Sequence, residues 1–185
     1  AAVIEANQIS AEGIGIENHS TGATIAGNYI YGGTRGILVQ GDTEGTGIGN
    51  LIRGNTIFEA EQVGVYILND LNLVIGNVIH GSGTGIGIEN FLSLGSSENV
   101  IGREGENEAN QIFDSEFAAI ENVNVEGSQN EFGANSGAGN GGKFIRLKAD
   151  DPGTEPVGPN GGIKPPAVAA ASKTQAGGTA DPEAV

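Results

Sequence analysis

The sequence predicts an all-β fold: a parallel β-helix, or β-solenoid, of about six coils with an extended C-terminal tail. Three observations predict it. An Asn-x-Ile motif returns at coil-length intervals, two further apolar motifs follow it each time in the same order, and glycine and asparagine punctuate short runs of Ile and Val. Repeats of 20–50 residues mark solenoids, because no single unit can bury its own apolar face.

The first motif reads Asn7-Gln8-Ile9, Asn28-Tyr29-Ile30, Asn55-Thr56-Ile57, Asn77-Val78-Ile79 and Asn110-Gln111-Ile112, at intervals of 21, 27, 22 and 33 residues. The second reads Gly13-Ile14-Gly15-Ile16, Gly36-Ile37-Leu38-Val39, Val63-Gly64-Val65, Gly85-Ile86-Gly87-Ile88 and Ala118-Ala119-Ile120. The third reads Thr24-Ile25-Ala26-Gly27, Leu51-Ile52-Arg53-Gly54, Val74-Ile75-Gly76, Val100-Ile101-Gly102 and Glu131-Phe132-Gly133. Apolar residues alternate with small or polar ones, the period of a strand. Hairpin sheets would need longer alternating strands joined by tight turns. Motifs that repeat coil upon coil predict parallel pairing at one strand spacing, about 4.8 Å.

Three inward stacks follow. Ile9, Ile30, Ile57, Ile79 and Ile112 form one. Ile16, Val39, Val65 or Ile67, Ile88 and Ile120 form the second, and Ile25, Ile52, Ile75, Ile101 and Phe132 the third. Asn7, Asn28, Asn55, Asn77 and Asn110 fall at coil corners. Asn tolerates left-handed backbone there, and its amide can bond the equivalent Asn above and below. A structural ladder is the reading, rather than a row of ligand groups.

The stretches Ile25-Ala26-Gly27-Asn28-Tyr29-Ile30, Ile52-Arg53-Gly54-Asn55-Thr56-Ile57 and Val74-Ile75-Gly76-Asn77-Val78-Ile79 resemble the right-handed parallel β-helices of the pectin-lyase-like superfamily. Within it they resemble bacterial surface and secreted proteins of this repeat type. The resemblance runs from about Val3 to Leu147, and implies right-handed coils, in line with the general crossover preference. It implies fold more than function, since the same fold hosts lyases, hydrolases, adhesins and phage fibres.

The β-helix is expected over 1–148. Residues 149–185 form an extended Pro/Gly/Ala-rich tail or linker. Lys164-Pro165-Pro166-Ala167-Val168 is similar to the first strand of immunoglobulin-like domains that follow such helices. The chain starts at Ala1 without Met or a signal peptide, so a mature or excised fragment is expected.

Composition narrows the partners. Lys+Arg total 8 against 23 Asp+Glu, a formal charge of −15, which excludes the basic patch that nucleic acid needs. No apolar run is long enough to span a membrane. There is no Cys, hence neither disulfide nor thiolate site. An extracellular or cell-surface location is expected, with self-assembly or surface and matrix glycans as partners.

The resemblance implies where chemistry would sit if present: clustered Asp or Glu for Ca²⁺ with an Arg or Lys base in the lyases, and several adjacent Asp in the hydrolases. Arg35 and Arg53 occupy different coil positions, and Asp42, Asp70 and Asp114 fall in different coils, so no catalytic residue is assigned. Glu89 and Glu121 follow equivalent Ile residues in consecutive coils and are expected about 5 Å apart. They, with Asp150, Asp151 and Glu155, are the weak candidates for a metal, Ca²⁺ being the cation considered; otherwise no cofactor is expected. His19 and His80 are read as single surface histidines. Three Tyr, six Phe and no Trp offer too few rings for a sugar platform.

The ends of the solenoid carry the remaining expectation. Val3 and Ile4 enter the repeat at once, without a capping helix, and Ile163, Pro165, Pro166 and Val168 lie in β-compatible tail sequence. Six coils rise about 29 Å, whereas the extended tail spans up to about 120 Å. Copies that stack end to end, stapled by the tail, would form a fibre. The functional expectation is a non-catalytic structural or adhesive extracellular protein. The alternatives are a carbohydrate-active enzyme (polysaccharide lyase or glycoside hydrolase) and a glycan-binding module.

Overall fold

The computed structural model describes residues 1–41, 48–89, 96–124 and 129–149. Within them every regular element is a strand, and the eighteen strands form three six-stranded sheets. Sheet A contains β1 (Val3–Glu5), β4 (Thr24–Ala26), β7 (Leu51–Arg53), β10 (Leu73–Ile75), β13 (Val100–Ile101) and β16 (Glu131–Phe132). Sheet B contains β2 (Gln8–Ala11), β5 (Tyr29–Gly32), β8 (Thr56–Phe58), β11 (Val78–His80), β14 (Asn110–Phe113) and β17 (Asn135–Ser136). Sheet C contains β3 (Ile14–Asn18), β6 (Arg35–Val39), β9 (Val63–Ile67), β12 (Thr84–Glu89), β15 (Ala118–Asn124) and β18 (Ile145–Ala149).

Each strand pairs with the third strand before and after it, always in parallel. The chain is therefore a parallel β-solenoid whose rungs each contribute one strand to each sheet. No helix among the described residues is long and apolar enough to cross a membrane.

The core is a column of branched aliphatics. Ile9, Ile30, Ile57, Ile79 and Ile112 stand in register on sheet B, as the motif spacing predicts. The other two stacks need correction. On sheet A the row runs Ile4, Ile25, Ile52, Val74, Ile101 and Phe132. Ile75 instead pairs with Arg53 and is only half-buried. The apolar run Leu73-Val74-Ile75 hides which residue points inward.

On sheet C the expected single stack is two. One joins Ile16, Ile37, Val65, Ile86 and Ile120; the other joins Val39, Ile67 and Ile88 between Asn18 and Asn122. Burying each such side chain contributes about 1.5–3 kcal/mol.

Packing between the sheets explains a row of glycines. Ile57 and Ile79 of sheet B lie against Gly36 and Gly64 of sheet C. A Cβ on Gly64 would come 2.6 Å from Ile79 Cγ2 and 2.7 Å from the Gly85 carbonyl oxygen. Absence of a side chain lets the isoleucine column meet the backbone of the facing strand.

The corners also differ in one respect from expectation. Left-handed backbone belongs to the residue before the ladder asparagine, not to the asparagine itself: Ala6 (φ 55), Gly27 (φ 61), Gly54 (φ 59) and Gly76 (φ 62). Gly27 and Gly54 have open space around a would-be Cβ, so their glycine answers to φ alone. The asparagine is there for its amide.

Candidate functional site

Ladder asparagines are joined by repeated bonds. The Asn77 carboxamide oxygen accepts from the Asn55 backbone N–H and from Asn55 Nδ2, both at 2.9 Å, while Asn77 Nδ2 donates to Asn110 Oδ1 and to the Ile52 carbonyl at 3.0 Å. Asn7 and Asn28 join the same row, and Asn135 extends it beyond Asn110. A second ladder, Asn50, Asn72, Asn99 and Asn130, runs along the corner before sheet A. Asn50 and Asn99 obey the same Asn-x-Ile pattern as the first ladder, whereas Asn72 and Asn130 precede Leu73-Val74 and Glu131-Phe132 and are legible only with Val and Phe admitted at the third position.

The chemistry-bearing side chains gather on the outer face of sheet C. Register places Tyr66 beside Gly87, Gly87 beside Glu121, and Glu121 beside Arg146. Glu89 stands two residues further along its strand and pairs with Val123. The expected adjacency of Glu89 and Glu121 is thus wrong by two residues. Ile88 aligns with Asn122, not with Ile120, because β12 has two inward Ile residues and Ile86 is the one opposite Ile120.

Gly87 leaves room for the Tyr66 ring, which crosses it so that the hydroxyl donates to the Glu89 carboxylate. The Arg35 guanidinium lies 4.9 Å from the ring centroid, a cation–π contact. Arg35, Tyr66, Gly87, Glu89 and Glu121 line a shallow cleft of about 150 Å³. Burial, and then the bond to Glu89, push the Tyr66 phenol well above its ordinary range. Glu121, its side chain 17% exposed, is held from the other side: Lys148 Nζ donates to it at 2.7 Å and Arg146 Nη1 lies 3.1 Å away.

The cleft is therefore a braced surface. A phenol held protonated is a poor base, and the Glu121 carboxylate is already engaged by two cations. Gly64 and Gly85 mark the register that sets Tyr66 beside Gly87, a signal carried by the glycines and not by the Ile-Glu-Asn triplets.

Val3 and Ile4 lie on β1, at one margin of sheet A, with Val3 62% exposed. Asp150, Asp151, Glu155, Ile163, Pro165, Pro166 and Val168 lie outside the described residues. The two histidines stay apart. His19 Nε2 meets Glu17 at 2.7 Å, and His80, the last residue of β11, meets Asp114 at 2.9 Å. On sheet B the register collects rings that composition made look too few: Tyr31, Phe58, His80 and Phe113 follow one another on the outer face, with Tyr29 beside them.

Comparison with known proteins adds one match. The model of a family described as "Periplasmic copper-binding protein (NosD)" matches residues 2–145. No curated protein and no solved structure matches.

The donor set does not fit copper. Cu(I) selects thiolate and thioether sulfur, and Cu(II) a converging square-planar or tetragonal set of N and O donors. This chain has no Cys, no Met and two His. Those two lie three rungs apart, about 14 Å along the axis, each against a single carboxylate. Among the described residues no three His, Asp or Glu converge. The family model nevertheless matches from before β1 to the start of β18, and the chain belongs to the NosD family.

Proposed function

We propose that this chain is a non-catalytic structural and adhesive scaffold of the cell envelope or cell surface. It presents ligands along the outside of a rigid solenoid. The carrying observation is the bracing of the sheet C face: Tyr66 is tied to Glu89, and Glu121 to Arg146 and Lys148. The periplasmic description of the family supports an extracytoplasmic site of action. Its copper binding does not carry over to this donor set. The test is incubation with neutral, acidic and amino polysaccharides, following new reducing ends and unsaturated products. The expected outcome is none above background. Turnover that Glu121→Gln or Tyr66→Phe abolishes would overturn the reading.

A second reading concerns assembly into a filament. Exposed Val3, with partly buried Ile4 and Ile9, forms an apolar margin beside an open cleft that also includes Ile16. A second copy stacked there would cover these side chains and pair the outer strand edges. Light scattering on the intact chain should show species that grow with concentration and that Val3→Asp disperses. A strict monomer at high concentration contradicts it.

A further inference from the structure

The outer face of sheet B holds a feature that the scaffold reading leaves unassigned. Tyr31, Phe58, His80 and Phe113 stand in register on successive rungs. The Tyr29 and Phe58 ring centroids lie 5.6 Å apart, and those of Phe58 and His80 5.7 Å apart, tilted by about 40°. Tyr29 and Tyr31 are 44% and 47% exposed. None of the six strands of this sheet contains Lys or Arg.

Carboxylates border the rings in a repeated way. Glu59 follows Phe58, the register partner of Tyr31, and raises the Tyr31 phenol above its ordinary value, while Asp114 pairs with His80. Each belongs to the rung after its ring, and each occupies the corner directly after its strand. Both have left-handed backbone, φ 54 and φ 52, where the alternate rungs use Gly32 and Gly81. Non-glycine residues rarely adopt that conformation, and such departures cluster where side chains have work to do. Asp114 keeps 57% of its side chain exposed, so it has lone pairs left for a ligand.

Rings bordered by acids, with no Lys or Arg on their strands and His80 as the one basic ring of the row, favour a ligand that is flat, partly apolar and cationic. The two ring–carboxylate pairs are two rungs apart, about 10 Å along the axis, a length comparable to a disaccharide in an extended chain. From the ring row and its two carboxylates we infer that sheet B is a platform for an extended glycan of amino sugars lying along the solenoid. Sugar faces stack on the rings, and ammonium groups reach Glu59 and Asp114. This rests on the scaffold reading.

The probe is a β-1,4-linked glucosamine hexamer, titrated calorimetrically into the intact chain. Binding should weaken at least tenfold with Phe58→Ala and with Glu59→Gln, and survive Phe58→Tyr. It should be unchanged by Glu98→Gln, which removes an equal charge from the corner before sheet A. The N-acetylated hexamer should bind at least tenfold more weakly. Absence of binding, full binding by Phe58→Ala, equal loss with Glu98→Gln, or equal affinity for the acetylated hexamer would each overturn the platform. Recovery of shortened hexamer would overturn the scaffold reading and leave the platform standing.

Discussion

At Asn77 one side chain serves three rungs: it accepts twice from Asn55 and donates to Asn110 and to the Ile52 carbonyl. Asn77→Ala strands two donors on Asn55 in a buried site. The expected loss is about 3 kcal/mol, or roughly 10 °C in Tm, measured by thermal unfolding. Asn77→Asp keeps the acceptor and loses the donors, so it should also destabilise. The asparagine ladder was readable from spacing, because Asn-x-Ile recurs once per rung. The backbone role was not. A left-handed residue leaves no mark of its own when Ala6 occupies the position that glycine holds in the next three rungs. Ala6→Gly relieves a strain of about 1 kcal/mol, partly offset by greater unfolded-state entropy. A small rise in Tm is the expected result, and a fall would contradict the strain.

Within the elements, facing sheets decide which residues are tolerated. Gly64→Ala drives a methyl into Ile79 and the Gly85 carbonyl. Overpacking of this kind destabilises by about 1–3 kcal/mol, and the shift of the urea midpoint would measure it. Gly54→Ala meets only open space, so its effect should stay near the left-handed penalty of about 1–2 kcal/mol. On sheet C the folded chain holds the Tyr66 proton above the ordinary phenol range. The unfolded chain releases it near pH 10. The folded state then binds more protons, so this contribution is complete below about pH 10 and is lost as pH rises towards the folded value. Urea midpoints from pH 9 to 11.5 should fall in the wild type and fall less in Tyr66→Phe.

These elements also show what a sequence hides. All three sheets were legible from motif order. Register was legible on sheet B, where an Asn stands two residues before the inward Ile of each motif. It slipped on sheets A and C, where Val74-Ile75 and Ile86-Gly87-Ile88 offer two apolar residues. Every candidate contact on an outer face inherits that slip: Glu89 meets Tyr66 rather than Glu121. Rings scattered between Tyr29 and Phe113 in the sequence become one surface only once the rungs are stacked.

For the whole molecule, a uniform stack of rungs with a branched aliphatic column offers three long outer faces. Sheet C is braced by its own ion pairs and sheet B carries the ring row. The family match extends over this stack, while the chain has no Cys, no Met and only two separated His for the copper of the family description. Equimolar Cu(II), or Cu(I) under reducing conditions, should therefore leave Tm within about 1 °C, since a ligand stabilises only by binding the folded state. The central claim is that the solenoid holds a glycan without altering it. Saturation-transfer NMR with the glucosamine hexamer tests both halves in one tube. The account predicts transfer from protein aromatic protons to the sugar-ring protons, with anomeric signals unchanged after a day. New reducing-end signals, or no transfer at all, would contradict it.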